Sequence, residues 1–444
     1  MMDPKHCLAI AQAEALSLGV RDVELILADT SSALTRFANN GIHQNVIAQS
    51  GHCSIRVVVD HRTARASTNR FDEASIRSVT SQAVALARSS EPDEKLPALA
   101  DPVQVPSAAR WSEETAASSP ATRAKAVAEA IQLVESAGQS AAGILSTDLS
   151  REFLLNSNGV FLEHAETMSR FSITTTAHDS SGWAKASAVN LQELDTVSLA
   201  RQAMKKARGS ATPREVEPGA YTVILEPAAV LDLVGQIFGD FSAAAITEGR
   251  SFLSGRLGKQ LFGENITITD DCFHPLQAGA PFDGEGMPRQ KLMLVDRGVP
   301  YEVARSRSSA LQNGGEPTGH GLPLPNESGE AVTNIVIHGG DKSIDEMIRS
   351  TGRGLLVTRL WYIREVEQFE KIMTGMTRDG TFLIEDGKLV CGVRNFRFNQ
   401  SVVEMLNTVV MLGPTVRASG EEIFDMAVPA MKVERFKFTE VTKF

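Results

Sequence analysis

Residues 227–258, PAAVLDLVGQIFGDFSAAAITEGRSFLSGRLG, constrain this chain more than any other stretch. Val230, Leu231, Val234, Ile237, Phe238, Phe241 and Ala245 recur at three- and four-residue steps and so share one helix face. Pro227 suits a first helical position, where its missing N–H costs no hydrogen bond. Gly249 is a natural stop. The pattern predicts one long helix, a short loop and a small-residue turn. A face this apolar has to be buried, so the rest of the chain must build a core around it. Before Glu248 the helix carries no His and no Cys, and its only acidic residues are Asp232 and Asp240.

Upstream, the order is helix, meander, helix. Residues 4–19 read as a helix with Leu8, Ala11, Ala15 and Leu16 on one side. Short strand runs follow at 23–29, 33–38, 42–49, 52–60 and 62–68, then a helix from about Glu73 to Arg88. Asn39-Asn40-Gly41 is a hairpin turn, because Asn and Gly accept positive φ cheaply. This is an α+β pattern with an antiparallel sheet in a sandwich-like N-terminal domain, residues 1–90, and not a parallel βαβ series. His43 points outward from a hairpin strand in this reading.

The Pro-, Asp- and Ala-rich segment 89–119 is a linker. A middle α+β unit spans 113–218: a helix at 120–137, strands near 142–149, 151–156, 160–176 and 181–189, and a helix at 191–208. Ser157-Asn158-Gly159 makes another hairpin turn. From 220 to 444 the chain is β-rich, barrel- or sandwich-like, around the one long buried helix. YTVILE feeds that helix, and strands are expected at 266–271, 291–300, 333–340, 354–366, 374–393 and the final MKVERFKFTEV. Asp386-Gly387 has the signature of a type I′ hairpin. Two long loops, LQAGAPFDGEGMPRQ and SRSSALQNGGEPTGHGLPLPNESGE, invite a functional reading by their length.

A net charge of −10 argues against nucleic acid as the main partner, since phosphate binding needs a basic surface. No apolar run approaches a membrane span. The N-terminal segment reads as an amphipathic helix and not a signal core. Cys7, Cys53, Cys272 and Cys391 are scattered and read as reduced thiols of a cytoplasmic protein.

Several segments together resemble the TldD/PmbA family of metallopeptidase-related proteins: EGRSFLSGRLGKQL at 248–261, RFANNGIHQN, GLLVTRLWYIR, TRDGTFLIEDGKL and VRNFRFN. TldD-type members carry His-Glu-x-x-x-His on the helix before the EGRS turn. In that register the two His positions fall at about Val234 and Gly239, and the Glu position at Gly235. A Cys near the C-terminus completes the metal site in those relatives, and the matching stretch here, VRASGEEIFDMAVPAM, has none. The resemblance is therefore to the PmbA (TldE) branch. It implies a cytoplasmic dimer, either with a TldD-like subunit that supplies zinc and the catalytic Glu, or with itself. The pair would degrade unfolded or small peptides or process a peptide precursor. This chain would hold no zinc.

Other constellations are weaker. Zinc needs three or four ligands on a rigid frame, and strand alternation puts His52 and Cys53 on opposite faces. His320 and His274 lie in loops, where a lone His is usually solvated. Cys391 reads as a small buried residue. No Gly-Lys-Ser/Thr phosphate loop or G-x-S-x-G elbow occurs. Ser251 and Ser254 fit a tight turn better than a nucleophile. Arg359 and Trp361 fall with Ile363 on one strand face, and Tyr362 with Arg364 on the other. Arg394 and Arg397 flank Phe396. Peptide recognition by strand addition uses backbone groups and such side-chain pockets, and a subunit interface uses the same surface. Arg250, Ser251, His320, Arg359, Tyr362 and Arg394 are accordingly the candidates for a peptide-binding cleft, with no catalytic or metal-ligating residue assigned. The alternatives are a stand-alone hydrolase around His320 and the Arg250-Ser251 turn, or a non-enzymatic peptide-binding scaffold.

Overall fold

The computed structural model describes residues 2–442. Helix α1 (Pro4–Ser17) begins at Asp3, whose side chain accepts the His6 N–H. Strands β1 (Asp22–Ala38), β2 (Gly41–Val59) and β3 (Arg62–Thr68) precede helix α2 (Glu73–Ser89), capped by Asp72. The four short runs expected between 23 and 60 are thus two long strands, because nothing at Thr30-Ser31-Ser32 or Ser50-Gly51 forbids extended backbone. Asn39 and Asn40 both take positive φ, 50° and 60°, as the hairpin requires.

After the linker come the one-turn helix α3 (Glu113–Ala116) and the helix α4 (Pro120–Ser136). Strands β4 (Ser140–Asn156), β5 (Phe161–Thr176) and β6 (Ser181–Ala188) follow, then helix α5 (Thr196–Gly209). The expected strands at 142–149 and 151–156 are one. β4 pairs with β1, so the six strands run β3-β2-β1-β4-β5-β6 in a single antiparallel sheet shared by the first two segments. Helices α1 and α2 close one core on it, and α4 and α5 close a second.

Strand β7 (Ala220–Leu225) leads into α6 (Pro227–Val234). Here the expectation of one long helix fails. The backbone tightens into a 3₁₀ turn over Gly235–Asp240, breaks at Phe241, and resumes as α7 (Ala243–Thr247). Gly235 and Gly239 have poor helix propensity. Ser242 then starts a new helix, its side chain accepting the Ala245 N–H. Burial is as expected: Val230, Leu231, Val234, Ile237 and Phe241 are inaccessible to solvent.

A mixed sheet holds β8 (Ile268–Asp270), β9 (Leu292–Asp296), β10 (Val299–Pro300) and β11 (Ile335–Ile337), with helix α8 (Arg307–Asn313) in the second long loop. The run at 291–300 is not one strand, because Arg297 and Gly298 turn it with φ of 44° and 82°. After α9 (Ile344–Arg349) come β12 (Arg353–Glu367), β13 (Ile372–Glu385), β14 (Lys388–Gly392) and β15 (Phe396–Ser401). The chain ends with α10 (Val402–Asn407), β16 (Val409–Leu412), β17 (Val416–Ala418), β18 (Met426–Val428) and β19 (Met431–Val441). β17 and β18 complete the mixed sheet. The order β12-β7-β19-β15-β13, with β13 also pairing β12, closes a five-stranded barrel. Asp386 and Gly387 take φ of 49° and 74°, the type I′ turn read from sequence. The largest core packs α6 and the 3₁₀ turn against the barrel and the mixed sheet.

The candidate site beside the broken helix

Helix α6 presents Asp232 to a loop that arrives from far along the chain. The backbone N–H groups of Glu421 and Glu422 each donate to Asp232 Oδ1 at 3.1 Å. The approach is close enough that a Cβ on Gly420 would lie 2.0 Å from the same oxygen, so only glycine fits there. Burial pushes the Asp232 carboxyl up to about 7, against the two N–H groups and nearby Arg359, which favour its charged form. One turn on, a Cβ at Gly235 would meet the Ile423 side chain at 2.8 Å. Ile423 thus covers the helix where a side chain at 235 would emerge.

The same loop ties three parts of the molecule together. Glu422 accepts the Tyr362 N–H at 2.7 Å and lies 3.4 Å from the Arg364 guanidinium, both on the β12 rim. From β6, Lys185 donates to the Gly420 carbonyl and pairs with Glu421 at 3.3 Å. Ser187, also on β6, donates to Asp425 at 2.7 Å, and Ser419 donates to its other oxygen at 2.6 Å. Burial alone would raise the Asp425 carboxyl, but those hydroxyls together with Arg170 and Arg417 hold it below its ordinary value.

Beneath the rim, Arg359 is buried and donates through Nε to Asp379 Oδ2 at 2.8 Å. Its guanidinium lies 4.8 Å from the ring centroid of Trp183 on β6 and 5.4 Å from that of Trp361, whose ring also takes Arg378 at 4.9 Å. These cation–π stacks join the middle segment to the barrel. Below them, Lys371 pairs with Asp240 at 2.6 Å and with Glu365 at 2.8 Å.

The six residues singled out from sequence are scattered relative to this site. Arg359 and Tyr362 belong to it. Their expected alternation holds only in part: Tyr362 adopts φ of 57°, the strand bulges between Trp361 and Arg364, and Ile363 turns into the core with Leu360 instead of joining Arg359 and Trp361. Arg250 sits on the surface paired with Glu248. Ser251 is fully buried, donating to the Asp240 carbonyl at 2.8 Å, so it serves the turn and lines no cleft. Arg394 lines a separate cavity of about 660 Å³ between the middle segment and the barrel, with His178, Asp179 and Asn395.

His320 is neither solvated nor in a cleft. It is 1 % exposed, with Nε2 3.1 Å from Asp270 Oδ1. The long loops around it are braced from within by buried carboxylates. Asp283 accepts the N–H groups of Glu285, Met287 and Gly321, and Glu330 links Ser242, Ala244 and Ser306. Cys391 is half-buried on an edge strand and not enclosed.

Sequence reading missed Trp183, Lys185, Lys371 and Glu422, which lie in unremarkable strand or loop contexts. Asp232 did carry a signal, as one of the two acids of the 227–247 segment. As metal donors, the residues of α6 and its continuation offer only Asp232 and Asp240, and both are engaged by N–H groups or Lys371. Among the described residues no three His, Cys, Asp or Glu side chains are grouped to hold a metal ion.

Comparison with known proteins agrees with this architecture. Three family profiles match in order: PmbA/TldA metallopeptidase domain 1 over residues 23–87, the central domain over 113–211 and the C-terminal domain over 218–440. A metalloprotease of Methanothermobacter thermautotrophicus is 26 % identical over 65 % of this chain and 67 % of that protein. The metalloprotease PmbA of Escherichia coli O157:H7 is 25 % identical over 50 % of this chain and 47 % of that protein. The alignments thus span about half to two thirds of these relatives. In fold, TldE from Thermococcus kodakarensis superposes with a TM-score of 0.89 at 20 % identity, covering 98 % of this chain and 99 % of that one. A protein of Thermotoga maritima described as a putative modulator of a DNA gyrase gives 0.86 at 20 % identity, covering 98 % and 100 %. With its C-terminal profile spanning half the chain and the other two profiles in register before it, this chain belongs to the PmbA/TldD family.

Proposed function

We propose that this chain is a TldE-like, zinc-free subunit that assists a His-Glu-x-x-x-His homologue in hydrolysing unfolded or small peptides. Metal-assisted hydrolysis needs a Lewis acid to polarise the carbonyl and a base to activate water. The observation that supports the reading is that Val234, Gly235 and Gly239 stand where the family resemblance would put the motif, with Ile423 packed over Gly235. A family metal would find hydrogen-bonded carboxylates here and no imidazole or thiolate, a donor set that does not fit zinc. The side chains present suit binding: a buried arginine between aromatic rings, and a rim of Tyr362, Arg364 and Glu422. The chain would position peptide or partner while the homologue performs the chemistry.

The test is peptide cleavage read by mass spectrometry on an unfolded protein substrate. This chain alone, with zinc, is expected to be inert. Addition of the His-Glu-x-x-x-His homologue is expected to give cleavage that exceeds the homologue's own. Cleavage by this chain alone would overturn the proposal.

A further inference from the structure

Strand β14 is the edge of its sheet, and a cavity of about 470 Å³ lies beside it, between α5, α9 and the barrel. Small-molecule sites run to roughly 300–1,000 Å³, so this one is of that size. The candidate site does not use it. Its floor is apolar: Ile348 of α9, Leu356 of β12 and Phe382 of β13 are buried members of one small core. Its outer wall comes from β14. Leu383 pairs with Cys391 and Ile384 with Leu389, so Val390 is an extra residue with no opposite number. The bulge lets three consecutive residues, Leu389, Val390 and Cys391, line the cavity. Leu389 and Val390 stay 44 % and 43 % exposed.

The remaining wall is α5, and it is cationic. Gln202, Lys205, Lys206 and Gly209 line the cavity at the three- and four-residue steps of one helix face. Helix α5 carries Arg201, Lys205, Lys206 and Arg208 and no acid, in a chain whose net charge is −10. Among the described residues only Lys206 of these four forms an ion pair, with Glu226 at 2.6 Å. Arg201 and Lys205 stand four residues apart, where like charges repel. Asp345, in the first turn of α9, is the other carboxylate of the wall. An apolar chamber with a cationic side matches a ligand of one apolar chain and one negative end.

We propose that this cavity binds a single-chain amphipathic carboxylate, a fatty acid of medium length. Its chain would lie against Phe382, Leu356 and Ile348, where burial of apolar surface favours it. Its head would sit at Lys205 and relieve the repulsion with Arg201. An aliphatic amine of the same length would instead add a third cation there. The inference does not rest on the subunit reading above.

The experiment is isothermal titration calorimetry of the full chain with decanoate below its micellar range, beside decylamine and acetate. Lys205→Glu and Leu389→Asp change exposed positions, so circular dichroism should match the wild type, and Lys125→Glu on α4 is the control. The expected result is one decanoate per chain, with a dissociation constant at least tenfold weaker in both cavity variants and unchanged in the control. Neither decylamine nor acetate should saturate. A second readout needs no variant. Cys7, Cys53 and Cys272 are buried, so a thiol reagent should reach Cys391 first, and decanoate should slow that reaction at least severalfold. Absence of saturable decanoate binding, equal binding of decylamine, indifference to either substitution, or an unshielded Cys391 would each overturn the proposal.

Discussion

The Asp232 carboxylate accepts the Glu422 backbone N–H at 3.1 Å across 190 positions of sequence. This contact fastens the 419–425 loop over the broken helix and, through Glu422, to the β12 rim. The loop and the helix therefore form one unit, and its titration has a sign that can be worked out. Asp232 rises from an ordinary 3.8 to about 7 on folding. Between those values the unfolded chain has released a proton that the folded chain keeps, so stability falls as pH rises through this window. Asp232→Asn, which keeps an acceptor oxygen, should flatten that slope. Melting temperature against pH for both proteins is the measurement. An unchanged slope in the variant would refute the assignment.

Gly235→Ala should cost about 1–2 kcal/mol, because the new methyl group overpacks against Ile423. The backbone at 235 is helical, so no strain from φ is involved. Ile423→Ala in the same chain should remove most of the penalty. A double-mutant cycle in denaturant gives the coupling, and additive effects would mean the loop moves away freely.

Arg359→Leu should destabilise by about 3 kcal/mol, since it leaves buried Asp379 without its main partner. Trp183 and Trp361 are two of only three tryptophans, so the loss of the guanidinium should also change the emission spectrum of the folded protein. Spectrum and unfolding midpoint should both change.

Lys371→Met should be similarly harmful, about 3 kcal/mol, for it strands Asp240 in the core. Adding Asp240→Asn should restore most of the loss, because a neutral amide needs no counter-charge. Failure of that rescue in urea unfolding would point to Glu365 as the partner that matters.

His320→Ala distinguishes scaffold from catalyst. The ring is buried against Asp270, a carboxyl that burial alone would raise but that the imidazole, Arg289 and the Asn334 N–H hold below its usual range. The variant should melt at a lower temperature yet assist peptide cleavage at the wild-type rate per folded molecule. Lost assistance with unchanged stability would instead support a hydrolytic site at His320.

What the sequence determined by itself was local. Asn39-Asn40 and Asp386-Gly387 fixed two hairpins, because their backbone preferences act within a few residues. The apolar spacing from Val230 to Phe241 dictated burial. The tertiary structure decided the rest. The break after Val234 follows from two glycines and a new cap at Ser242, where periodicity alone reads straight through. The fusion of β1 with β4, the placement of Trp183 over Arg359, and the burial of His320 all depend on segments that are remote in sequence. Side-chain type constrains which partners are acceptable. Only the path of the chain determines which of them arrive, because burial and hydrogen-bond satisfaction are settled by distant groups that compete for the same space.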